Sequence, residues 1–407
     1  MKNAIYLLVI LLFLMSCSKN DLSIRHDENI LPEYIAEFEA YLDLPPVFAN
    51  YSRELPIYLK NVGMAVKPVN NGKATLGRVL FYDKNLSLDR STSCASCHKQ
   101  NKAFSDDVAL SRGINGLTGS RNAMPIANVA SFSAHYSEIA GLRPLLLWDG
   151  RAANVAEQSK LAFLNDHEMG MNMEAVAARI QEQSYYPYLW QKVYGHFDVR
   201  EEDVFECLSE FVGSIGGQYS KFDRALEAVN GNLNFGGVDT VVTITAVYYG
   251  TIDTTLVPFG LPGFSPNENN GRDIFVANCS KCHSPIRPFQ EVFDACNGLE
   301  MDYADQGRGK ITGNATDNGV FKSPSLRNIT LTAPYMHDGR FKTLQEVVEF
   351  YSSGVKAHPN LHPEMLHNGN ANLQLTTDQK QDLIAFLKTL TDDKLTGDER
   401  FSNPFRQ

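Results

Sequence analysis

Two short stretches constrain this chain more than anything else in it: Cys94-Ala-Ser-Cys97-His98 and Cys279-Ser-Lys-Cys282-His283. On one turn of helix, cysteines three apart point the same way, and a histidine at the next position shares their face. That geometry lets two thiols add to the vinyl groups of a porphyrin while the imidazole reaches its iron, which is the attachment signature of haem c. Zinc would ask for four ligands in paired knuckles, and a thioredoxin-like redox pair has no use for the histidine. His98 and His283 are therefore the expected axial ligands of two haem irons, with Cys94, Cys97, Cys279 and Cys282 as the covalent attachment points.

A short amphipathic helix is expected just before each motif, Gly77 to Tyr82 in "LGRVLFYDKNLS" and Gly271 to Val276 in "NNGRDIFVANCSKCH". This weak internal repeat marks two modules of one kind. The expected fold is mainly α: two loop-rich, cytochrome c-like haem domains packed across an interface, with a small β-containing insertion between them. The boundaries read as 46–228 for the first module, 229–268 for the linker and 269–395 for the second, followed by a tail at 396–407. Helices are expected at Pro32 to Leu42, at 172–184, across 201–228, and after Thr376 or Thr377, where Leu383, Ile384, Phe386, Leu387 and Leu390 would face a core. The β-branched run "VDTVVTITAV", followed by "LPGFSPNENNG", places the strand pair within 231–270.

The 407 residues carry 37 − 47 = −10 formal charges without a lysine or arginine run. That argues against nucleic acid, which needs a clustered basic footprint. Residues 1–17 have signal-peptide proportions, with an apolar run from Ile5 to Met15, and "LMSC" resembles a lipoprotein box that would lipidate Cys17. The expectation is an exported protein on the periplasmic side of a bacterial membrane, anchored by lipid, with an exposed lead-in at 18–45. Cys207 and Cys296 are the cysteines left over, and they read as lone buried thiols rather than a bridge.

The far side of each iron is where function is decided. For the second haem the candidates are Met336 and His337 in "TAPYMHDGR", Tyr351 in "VVEFYSSG" and Met365 in "HPEML". A methionine would raise the potential, whereas a tyrosine would favour ferric iron and lower it. For the first haem, the stretch after the motif offers only His135 and Met124. An iron without a strong sixth ligand is open to a small molecule such as peroxide. Breaking its O–O bond then needs a group that carries a proton from the inner to the outer oxygen. His167 and Glu168 in "FLNDHEMGMN" and Gln158 in "VAEQSK" are candidates.

Taken together, "CASCH", "SRNAMPIANV", "LLWDGRAANVAEQ", "HEMG", "CSKCH" and "FKSPSLRNITLTAPYMHDGRFKTLQEVVEFY" resemble the bacterial di-haem cytochrome c peroxidases, in their MauG-like branch, over about residues 70–225 and 268–390. The resemblance implies that His98 holds the peroxide-reacting haem, with Glu168 as acid/base and Gln158 beside it. Trp148 would be an electron relay between the haems, and His283 would hold the electron-transfer haem. Asn122, with the carbonyls of Thr332 and Pro334, matches positions that bind a calcium ion between the domains. Two departures stand out. Relatives that need reductive activation carry a haem-capping histidine where this chain has Ile114, and they carry a methionine ligand where it has Tyr351. Both imply a first haem open without activation and a second haem of low potential.

The implied activity is peroxide reduction, with electrons from a small c-type cytochrome, a cupredoxin or a protein substrate, in a possible homodimer. Peroxide-dependent oxidation of a partner protein is one alternative. A non-enzymatic di-haem electron carrier or peroxide sensor is the other.

Overall fold

A computed structural model describes residues 32–61, 66–128, 146–231, 260–283 and 294–406. Cys17, His135 and most of the 231–270 insertion lie outside them.

The expected repeat is built into the packing. The helix Asn71–Tyr82 crosses Glu201–Ser214, and Pro266–Asn278 crosses Thr377–Lys388, so that each haem motif follows the first member of a crossed pair. Both crossings are made possible by glycine. A Cβ on Gly77 would stand 1.9 Å from the Cys207 carbonyl oxygen and 2.9 Å from Phe211 Cβ. A Cβ on Gly271 would stand 1.9 Å from the Asp382 carbonyl oxygen and 2.9 Å from Phe386 Cβ. No side chain fits at either point, so the helices touch backbone to backbone. The C-terminal helix begins at a capping box between Thr376 and Gln379 and buries Leu383, Ile384, Phe386 and Leu387, the face its periodicity predicts.

The 201–228 stretch divides. Glu201–Ser214 ends at Ile215, and a second helix runs Lys221–Gly231. Between them Gly216 lies against Arg53, whose guanidinium reaches within 2.5 Å of where a Cβ would be, and Gly217 lies against Asn328. Glycine is a poor helix former, and here its bare backbone admits side chains from elsewhere in the chain. The helices Pro32–Tyr41 and Met173–Glu182 lie where they are expected. The β content expected between the modules falls on residues that are not described. Among the described residues the one sheet pairs Asp294–Ala295 with Phe321–Lys322, inside the second module.

Apolar packing does not follow the sequence boundaries expected at 46–228 and 269–395. Leu55, Tyr58 and Leu59, with Phe222, Ala225 and Leu226, belong to the core around Phe275 and Phe386. Leu395 and Phe401 belong to the core around Phe81 and Phe211. Buried polar groups pin both exchanges. Arg327 donates to both Asp223 carboxylate oxygens at 2.9 Å and to Tyr58 Oη at 3.0 Å. Arg78 donates to the Ser402 carbonyl and hydroxyl at 2.6 and 2.8 Å. The modules are thus laced together by each other's chain segments.

Candidate haem sites

Around the second motif lies a cavity of about 700 Å³, of the size of cofactor pockets. Cys279, Cys282 and His283 line it. His283 Nδ1 lies 2.8 Å from the Pro324 carbonyl oxygen. A carbonyl only accepts, so Nδ1 carries the proton and Nε2 is left with a lone pair for a metal. The free thiols stand where thioether sulfurs would be. Burial, and then the neighbouring Cys282, push the Cys279 thiol up to about 12. An apolar cavity with two thiols, an oriented imidazole and no described cluster of metal-binding side chains fits haem c, not a bare ion.

Tyr351, Met336 and Met365 all line this cavity. Tyr351 opens onto it from a π-helical turn, Phe350–Gly354, that continues the capped helix Leu344–Glu349. Such turns often sit at functional sites because the extra residue re-aims a side chain. Burial pushes the Tyr351 hydroxyl up to about 12, while a hydrogen bond from Asn297 Nδ2 at 3.3 Å acts the other way. A phenolate here would feel the sulfurs of Cys279 and Cys282, which places its ring beside the attachment motif. His337 also lines the cavity, but a face of its ring is stacked on Phe321 at 3.9 Å.

The first motif is arranged differently. The Cys94–Cys97 turn starts at a capping box between Ser93 and Ser96. His98 Nδ1 lies 3.0 Å from the Phe104 carbonyl oxygen, so it too is a donor. Ala103 and Phe104 both have positive φ, 50° and 61°, a strained pair of a kind that clusters at active sites. The Met124 backbone also bonds the His98 ring, so that residue belongs to the histidine's own side.

Glu168 is half-buried, and burial raises its carboxyl above the usual range, against the opposing effects of Asn165 and Arg151. Asn165 Nδ2 donates to Glu168 Oε1 at 2.8 Å. Its charge bears on both Cys94 and Cys97, which places it at the first attachment site. The Ile114 loop packs against its backbone: Ile114 N donates to the Glu168 carbonyl at 3.1 Å. His167 is exposed, and its Nδ1 donates to the Thr118 carbonyl at 2.9 Å, holding the same loop. Gln158 is half-buried on the helix Val155–Leu164, which Asn154 caps.

At the second cavity Trp148 is held at three points. Its Nε1 donates to the Asn122 carbonyl at 2.8 Å, its own carbonyl accepts from Lys322 N at 2.7 Å, and its ring meets that of His337 edge-on at 6.5 Å. Trp148 lines the second cavity, as do Asn122, Thr332 and Pro334. Asn122 Nδ2 donates to the carbonyls of Val108 and Ala109 at 3.1 and 3.2 Å. Oδ1 is an acceptor, the kind of oxygen a hard cation takes.

Comparison with known proteins now bears on these sites. Residues 71–230 match the family model of di-haem cytochrome c peroxidases. The chain is 27% identical to the methylamine utilization protein MauG of Methylophilus methylotrophus, over 79% of this chain and 83% of that protein. A crystal structure of a MauG-like protein associated with microbial copper homeostasis is 27% identical, covers 89% of this chain and 98% of its own, and superposes with a TM-score of 0.65. The cytochrome-c peroxidase IdrP2 of Pseudomonas sp. (strain SCT) is 30% identical over 344 residues, 81% of this chain and 84% of that protein. This chain belongs to the di-haem cytochrome c peroxidase family.

Several parts of this peroxidase-family site escape sequence reasoning. Arg121 donates to Asp149 at 2.6 Å and to both carboxylate oxygens of Asp305 at 2.6 and 2.7 Å, tying the residue after Trp148 to the second module. Arg121 and Asp149 stand inside "SRNAMPIANV" and "LLWDGRAANVAEQ", so those motifs carried a signal for them. Asn297 and Asp305 carried none. Cys207 and Cys296 are free and buried, against Tyr194 and Tyr303 respectively, as expected of lone thiols.

Proposed function

We propose that this chain reduces hydrogen peroxide at the His98 site, with electrons arriving through the His283 site. The observation that carries this reading is the asymmetry of the two sites. Beside Cys94 and Cys97 stands Glu168, a carboxyl that burial inclines to hold a proton. Beside Cys279 and Cys282 stands Tyr351, an oxygen ligand in waiting.

Haem c at the first site would supply an iron that takes one peroxide oxygen. The rest falls to the protein. Cys94 and Cys97 would hold the porphyrin, and His98, oriented by the Phe104 carbonyl, would bind its iron. Glu168 takes the proton of the inner oxygen and returns it to the outer one, which leaves as water. Burial, by raising its affinity for protons, suits it to both steps. Gln158 offers an amide beside it to orient the peroxide. Two electrons and two further protons complete the conversion of one peroxide to two waters. Trp148 would relay electrons between the sites, and Tyr351 would hold the second iron in preference to Met336 or Met365.

Asn122 Oδ1 with the Thr332 and Pro334 carbonyls would bind calcium, since all three residues line one cavity and offer hard oxygens. Cys17 would carry a lipid anchor on the periplasmic side. Among the described residues no helix is long and apolar enough to cross a membrane. The electron donor would be a small c-type cytochrome, a cupredoxin or a protein substrate, and the protein would act as a homodimer.

A second reading, peroxide-dependent oxidation of a partner protein, is favoured by the Ile114 and Tyr351 pair. Both suit a site that needs no activation and a second haem that resists reduction. Steady-state peroxide turnover with a reduced small cytochrome decides between the two. Sustained turnover supports peroxide reduction. Negligible turnover with a long-lived oxidised form of the protein supports the second reading, and two six-coordinate haems inert to peroxide would overturn both.

A further inference from the structure

Three charged side chains line the second cavity besides its histidines: Lys281, Lys322 and Glu364. Lys281 is spent on Glu364, at 2.6 Å. Lys322 has no such outlet: among the described residues, no carboxylate forms an ion pair with it. The residue paired across the sheet is Asp294, but that carboxylate lies 3.5 Å from Arg308.

The backbone leaves Lys322 little freedom to leave. Its N–H donates to the Trp148 carbonyl at 2.7 Å, and it pairs in register with Asp294. Phe321, before it, stacks on His337, whose ring meets Trp148. Lys322 is half-buried by surface area, and burial alone lowers its ammonium to about 8. The two observations agree once the cavity is considered. The side chain keeps some accessible surface because it lines an open volume, and whatever fills that volume takes the surface away. A cation enclosed without a counter-charge is unfavourable, so the filled cavity must bring one. Haem c carries two propionate carboxylates.

We propose that Lys322 supplies the counter-charge for a propionate of the porphyrin held by Cys279, Cys282 and His283, and thereby helps to set the potential of that site. The proposal rests on the di-haem reading above. Lys322 is a positioning residue: it touches the cofactor's edge, not the reacting peroxide. A positive charge beside the ring favours the reduced iron, so its presence raises the midpoint potential of the second site.

The test uses the haem-loaded protein. The mass of the intact chain first counts covalent haems; fewer than two in the wild type overturns the di-haem reading itself, independently of Lys322. Spectroelectrochemistry of Lys322→Gln should then lower the second midpoint potential and leave the first unmoved, and Lys322→Arg should restore it. Resonance Raman propionate modes should shift in Lys322→Gln alone. Unchanged second potential and propionate modes would overturn the proposal. If Lys322→Gln fails to load its second haem, acetylation of the wild-type holoprotein decides. Lys322 should stay unmodified while Lys67, whose side chain is 74% exposed, reacts. Equal labelling of the two would refute the pairing.

Discussion

The amide nitrogen of Ile114 donates to the carbonyl oxygen of Glu168 at 3.1 Å, so the loop that could cap the first haem and the proposed proton carrier move as one packed unit. The contact is tight on both sides. A Cβ on Gly113 would lie 2.1 Å from the His167 carbonyl oxygen, and one on Gly170 would lie 2.3 Å from Ile114 Cδ1. Gly170 also has a φ of +62°, which other residues rarely adopt. What stands at position 114 is therefore presented next to Glu168, and here it is a hydrocarbon.

Replacing Ile114 with histidine should put a ligand within reach of the first iron. The expected outcome is a shift of the resting first haem from high-spin to low-spin, with peroxide turnover that recovers only after prior reduction. Electron paramagnetic resonance of the resting variant checks this. A first haem that stays high-spin would mean that the loop does not face the iron.

Glu168→Gln should lower the rate of peroxide cleavage by about 10²–10⁴-fold, the usual worth of a positioned acid/base, with both haems still attached. Stopped-flow mixing with peroxide measures it. The same variant has a stability signature. Burial raises the Glu168 pKa in the folded chain, so the folded state binds the proton more tightly than the unfolded one. Its contribution is favourable in acid and is lost as pH rises through the interval from the ordinary carboxyl value to the raised one. Glu168→Gln should therefore be at least as stable as the wild type above that interval. Its relative stability should fall below it.

Tyr351→Phe should change the spectrum of the second haem and raise its potential, because a phenolate ligand favours ferric iron. Asn297→Ala removes the amide that donates to the phenolate oxygen, which makes that oxygen a stronger ligand and should move the potential the opposite way by less. An unaltered spectrum with a methionine–iron charge-transfer band would transfer the role to Met336 or Met365.

Gly271→Ala should destabilise the protein by about 1–3 kcal/mol or more, the cost of overpacking a closed contact, since the new methyl would meet the Asp382 backbone. Gly77→Ala should do the same against Cys207. Gly397→Ala, where a Cβ meets nothing within 4 Å, is the neutral control. Denaturant unfolding of the three variants compares them.

Residue order alone determined the features that depend on near neighbours. Two CxxCH turns, each behind a helix containing Gly-Arg, announced two haem modules, because cysteines and histidine on one helical turn share a face without help from the rest of the chain. The capping box at Thr376 and the apolar face after it are equally local. Tertiary structure decided everything that joins distant positions. It put Tyr58 and Phe222 in the second module's core and Phe401 in the first's, because a buried arginine, Arg327 or Arg78, finds its oxygens there. It also laid Ile114 on Glu168, clamped Arg121 to Asp305, set Asn297 under Tyr351, and left Lys322 facing the second cavity with no ion pair to a described carboxylate. Each of these pairs exists only because backbone hydrogen bonds and close helix crossings carry its members together.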